Sequence, residues 1–112
     1  MTDVLLVILA AAFALAGSAK VLGLGPTKAN FERWAVPAWS RPVVGVVELV
    51  TAACAVGGLT GNESATQVAA LLALWVMVGA VAIHAMAGDP PKEVAPAIVL
   101  LVIAVALLST TV

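Results

Sequence analysis

Lys20, Glu48 and His84 are ionisable residues set within or at the edge of long apolar runs. An acid, an amine and an imidazole together can do definite chemistry. Glu48 and His84 can relay a proton, and Lys20 can hold an anionic group. The same three can instead form an internal polar lock that sets helix register. One His and one Glu, with no second His and no thiolate at that level, fall short of an ordinary zinc or iron set, so no metal is expected. Glu48 is the hardest of the three to place. It stands in "GVVELV", residues 45–50, and a lone charge at the bilayer centre costs roughly 2.5–3.5 kcal/mol on insertion scales. Its carboxyl must be protonated or paired, and Lys20 or His84 is the expected partner.

The elements that position these residues follow from composition. The 112-residue chain is 63% hydrophobic and 10% charged, against roughly 45–50% and about 25% in soluble domains. A chain of this length cannot hide that much apolar surface from water, so a lipid bilayer is the expected solvent. The net charge of −1 gives no basic field for nucleic acid. The single Cys54 excludes an internal disulfide, and its neighbours predict a buried small residue. "MTDV" at the start carries Asp3 and no basic residue, so the first apolar run reads as a mature span rather than a secretory leader.

Four apolar stretches stand out, at about residues 4–22, 42–59, 65–87 and 94–110. Each is near the roughly 20 residues a helix needs to cross about 30 Å of hydrocarbon, and helices satisfy their own backbone groups there. The expected fold is all-α: one transmembrane four-helix bundle spanning residues 1–112. Gly23, Gly25 and Pro26 end the first span. "TGNE" (60–63) turns the second into the third, with Ser64 as the expected N-cap, and "GDPPKE" (88–93) ends the third. The segment at about 26–40 reads as a short interfacial amphipathic helix, with Phe31 and Trp34 on one face and an extended "VPAW" after it. It is either an aromatic anchor or a lid. Gly57 and Gly61 have the spacing of a dimer motif, but a turn explains them better.

Even span number places both termini on one side with Asp3 and Glu63. Lys20, Lys28, Arg33, Arg41 and Lys92 fall on the other. The positive-inside rule makes residues 23–41 and 88–93 cytoplasmic and both termini external, in a multi-pass cell-membrane protein. Glu48 then lies about 10 Å and His84 about 7 Å from the cytoplasmic edge, at 1.5 Å per residue. Lys20 ends the first span at the same edge. Three residues remote in sequence thus reach one level. Gly17 lies one turn before Lys20, and Gly45 and Thr51 flank Glu48, small residues that let helix backbones approach.

Taken together, "AGSAKVLG" (16–23), "FERWAVPAW" (31–39), "RPVVGVVELVTA" (41–52) and "MVGAVAIH" (77–84) resemble the DoxX-like family of small four-span membrane proteins. The resemblance makes Lys20, Glu48 and His84 the characteristic polar positions, with Gly17, Gly45, Trp34 and Pro37 as companions. It implies a link to membrane redox systems, with electrons carried by a quinone or a partner subunit. The leading expectation is a small-molecule or quinone site built from Glu48, His84 and Lys20, with Trp34 at its mouth and Gly17 and Gly45 beside it. The competing expectation is a non-catalytic accessory subunit of a larger membrane complex, or a homodimer, with the triad as a structural lock. Proton-coupled transport is less attractive in four spans without an internal repeat.

Overall fold

The structure is a computed structural model that describes residues 2–111. It contains five helices and no strand among the described residues: α1 (Thr2–Leu22), α2 (Thr27–Arg33), α3 (Ser40–Leu59), α4 (Glu63–Ala87) and α5 (Pro91–Thr111). α1, α3, α4 and α5 are each long and apolar enough to cross a membrane. Large apolar side chains such as Leu15, Trp75 and Val102 point outward, as the bilayer permits and water would not. The long dimension of 40 Å matches the roughly 40–45 Å of a bilayer with its headgroups.

The four long helices run up and down as a ring in chain order. α1 packs most extensively on α3, α3 on α4 and α4 on α5, while α1 and α5 touch only sparingly. The two halves of the bundle differ. Near the chain termini, Leu6, Leu9 and Phe13 of α1 meet Ala55 of α3, Ala69 and Ala73 of α4, and Ala104 and Leu107 of α5 in a closed core. So many alanines bring the backbones close, the packing that lipid-embedded helices favour. Cys54 is half-buried against this core rather than fully enclosed. The other half carries α2 and all five basic residues, and is hollow.

The spans run slightly past their expected limits, for local reasons. α4 starts at Glu63, and its N-cap is Asn62, whose Oδ1 accepts from the Ala65 N–H at 3.0 Å. Ser64, the expected cap, sits inside the first turn. Asn satisfies an orphan N–H as well as Ser does, and it lies nearer the turn. α5 starts at Pro91 because a proline in the first turn gives up an N–H that has no partner anyway. Gly61 closes the short turn with φ of 99°, in line with the turn reading of that segment.

α4 ends in a Schellman motif that matters below. Gly88 takes φ of 72°, the Asp89 N–H reaches the His84 carbonyl at 3.0 Å, and the Gly88 N–H reaches that of Ala85 at 3.2 Å. The left-handed turn suits glycine. Its result is that Asp89 folds back over the last turn of α4, beside His84.

Candidate functional site

Gly17 of α1 and Gly45 of α3 face each other at backbone distance. A Cβ on Gly17 would lie 2.8 Å from the Gly45 carbonyl oxygen, and one on Gly45 would lie 2.9 Å from the Gly17 carbonyl oxygen and from Lys20 Cβ. Because both obstacles are main chain, no rotamer relieves them. The Lys20 side chain therefore leaves α1 directly beside α3, and its Nζ reaches Glu48 Oε1 at 2.8 Å. Glu48 is only 2% exposed. Lys20 is the one protein partner of the Glu48 carboxylate among the described residues, which leaves acceptor capacity on it. Arg41 donates to the Lys20 carbonyl and ties the end of α1 to the start of α3. Gly17→Ala should cost about 1–3 kcal/mol by overpacking this contact. Gly79→Ala, where a Cβ meets nothing within 4 Å, should be neutral or gain up to about 1 kcal/mol of helix propensity. Thermal unfolding of the two variants in detergent makes the comparison.

His84 does not pair with Glu48, as one branch of the expectation had it. Its Nδ1 lies 2.5 Å from Asp89 Oδ2, a consequence of the Schellman turn. Asp89 also accepts from Arg33 of α2 at 2.5 Å and from the Trp34 indole N–H at 3.2 Å. Its side chain is 3% exposed. The Arg33 guanidinium, helped by His84 and Trp34, holds the Asp89 carboxyl down at about 2, and the same bond raises Arg33 above its ordinary value. Trp34 stands edge-on to His84 with ring centroids 5.2 Å apart, Phe31 packs on Trp34 at 5.2 Å, and Arg33 lies over the indole at 5.6 Å. α2 is thereby clasped to the α4–α5 turn. Arg33 and Asp89 are the residues that sequence reasoning missed, having been read as orientation and turn charges. The signal was present in "HAMAGD" (84–89), where a Gly C-cap places the following residue over the imidazole.

Lys20, Trp34, Glu48 and His84 all line one cavity of about 530 Å³. Its remaining wall is mostly apolar and drawn from all five helices, with Phe13 at the closed-core end, Phe31 and Pro37 under α2, and Ala97 on α5. Val43, Trp75, Gly79 and Pro96 line it while also being exposed on the outside of the bundle, so it opens sideways. Trp75 is 71% exposed and stands at that opening. Gly17 and Gly45, expected beside a ligand, do not line the cavity. They set the α1–α3 approach that delivers Lys20 to its wall.

The sequence model of the DoxX-like family matches residues 4–107, nearly the whole chain and every element described above. The chain belongs to the DoxX-like family. No curated protein and no solved structure gives a significant match. In this DoxX-like protein the four motifs that carried the resemblance map onto one region. "AGSAKVLG" and "RPVVGVVELVTA" form the α1–α3 contact and its ion pair. "FERWAVPAW" forms the end of α2 and the strap after it, and "MVGAVAIH" supplies the α4 wall.

Proposed function

We propose that this DoxX-like protein binds a small amphipathic molecule of the quinone class in its hollow half, as a component of a membrane redox system. One observation carries the reading. Glu48, almost fully buried, lines an apolar cavity, and Lys20 is the one protein partner of its carboxylate among the described residues. A carboxylate offers about four acceptor positions, and those left over in a buried site call for a ligand or water. The fit is good in other respects. The volume lies within the roughly 300–1,000 Å³ usual for small-molecule sites, and mostly apolar walls with a few convergent polar groups are their usual chemistry. The sideways opening suits a ligand that arrives from the lipid. Lys20 donates to a ring oxygen, Glu48 and His84 exchange protons with ligand hydroxyls, and Trp34 covers the site from α2. Glu48 and His84 act on the ligand separately, since each has its own protein partner. By the positive-inside rule we place the hollow half in the cytoplasmic leaflet.

The test is retention of native quinone. Organic extraction of the purified protein, followed by mass spectrometry, should recover quinone from the wild type. Ala16→Phe, which projects a ring from α1 into the cavity, should reduce the recovery at least tenfold while the helical circular dichroism is unchanged. Equal recovery from both proteins overturns the reading. A second reading rests on the Lys20–Glu48 contact itself: it joins α1 to α3, as a lock would, in an accessory subunit of a larger complex. That reading expects no quinone in either protein, and a partner subunit that copurifies.

A further inference from the structure

Asp89 leaves His84 one way to bond. An ionised carboxylate only accepts hydrogen bonds, and Asp89 is kept ionised by Arg33. The imidazole nitrogen facing it must therefore carry a proton, and that nitrogen is Nδ1. When the imidazole is neutral, the second ring nitrogen, Nε2, carries a lone pair, on a residue that lines the cavity. On α3, the Glu48 carboxylate is a second acceptor, with Lys20 as its one protein partner among the described residues. Lys20 is the one Lys or Arg among the described residues that line the same space.

We infer that Asp89 is a positioning residue that fixes His84 as a hydrogen-bond acceptor, and that the cavity therefore selects a dihydroxy aromatic, a quinol, over the corresponding quinone. This rests on the reading of the cavity as a quinone-class site. A quinol brings two O–H donors for two acceptors, His84 Nε2 and the Glu48 carboxylate, and its oxygens still accept from Lys20. A quinone brings only carbonyl acceptors. One can take a bond from Lys20, but the other would face the His84 lone pair, and a polar group buried without a partner is disfavoured. Asp89 enforces this choice from outside the cavity, and it simultaneously holds Trp34 across the top.

The chain has one histidine, so ¹⁵N-histidine labelling of the full chain in nanodiscs gives one imidazole spectrum. At neutral pH, Nδ1 should be protonated and Nε2 bare. Asp89→Ala should give a tautomer mixture, and Asp89→Glu should restore the wild-type pattern. In parallel, decyl-benzoquinol and decyl-benzoquinone are titrated under matched conditions, with quenching of indole emission as the signal. The wild type should prefer the quinol about tenfold, the scale of one hydrogen bond gained against one left unmade. The preference should fall to about one in His84→Phe and in Asp89→Ala. A wild-type Nε2 that carries a proton overturns the inference, as does equal affinity for the two probes. Both measurements on the wild type need no variant to fold. If neither probe binds, the quinone-class reading itself fails. If both bind equally, that reading stands and only the selection falls.

Discussion

Lys20→Met should destabilise the bundle by about 3 kcal/mol, and adding Glu48→Leu should recover most of that loss. Removing one partner of a buried ion pair costs roughly 3–5 kcal/mol, because the other charge stays in a low-dielectric setting. The low end applies, since the Lys20 side chain is 19% exposed and Glu48 only 2%. Arg41, which contacts the Lys20 backbone, is already committed to the Lys20 carbonyl. The double variant removes the stranded charge and places an apolar side chain of similar bulk against α1, and such replacements are often neutral or stabilising. Lys28→Met is the control: Lys28 is exposed on α2, and surface changes of this kind stay within about ±0.5 kcal/mol. Thermal or denaturant unfolding in one detergent, followed by circular dichroism, ranks the four proteins. If Lys20→Met proves as stable as Lys28→Met, the pair does not hold α1 to α3. Ligand recovery in the double variant then separates site from lock. A stable bundle without quinone means the pair belongs to the site.

Much of this arrangement was legible from residue types alone, for physical reasons. Spans read well because the bilayer sets one length scale and admits almost no charge. Glu48 and Lys20 stood out against oil for the same reason, and two helices running in opposite directions bring them to one depth. Gly17 and Gly45 could be recognised as permitting close approach, although their direct opposition depends on rotation about each helix axis. Span ends were harder. Asn62 and Pro91 extend α4 and α5 by chemistry that acts on single N–H groups, below the resolution of hydropathy. Asp89 was the real omission. In sequence it is one residue of a polar, proline-rich turn, where a carboxylate is ordinarily solvated. Only the Schellman turn at Gly88 and the arrival of Arg33 and Trp34 from α2 give it three partners. Such a cluster joins segments more than fifty residues apart, and no local pattern encodes it.

That cluster leads to the second large effect, the acid release of α2. Asp89 has its carboxyl depressed from 3.8 to about 2 in the fold. A depressed carboxyl contributes stability that is complete above its unfolded value and lost as pH falls through its folded value. The clasp should therefore be closed from neutral pH down to about 4, and open between there and about 2. Arg33 does not titrate in that range, and its pKa moves upward, so the loss belongs to Asp89. The readout is access of acrylamide to Trp34, followed in a Trp39→Phe, Trp75→Phe background where it is the only indole. Quenching should be weak and flat at neutral and mildly acidic pH, then rise severalfold as Asp89 takes its proton and the Trp34 N–H and Arg33 lose their acceptor. Helical circular dichroism should hold steady, because the spans are closed by apolar packing and α2 contributes only seven residues. Asp89→Ala should be highly quenched at every pH, and Arg33→Gln should shift the midpoint upward, since the guanidinium is the largest cause of the depression. A wild-type curve already high at pH 7 would mean that α2 is not held over the cavity. Trp34 could then belong to a simple aromatic anchor in the headgroups, and the cavity would have no cover on that side.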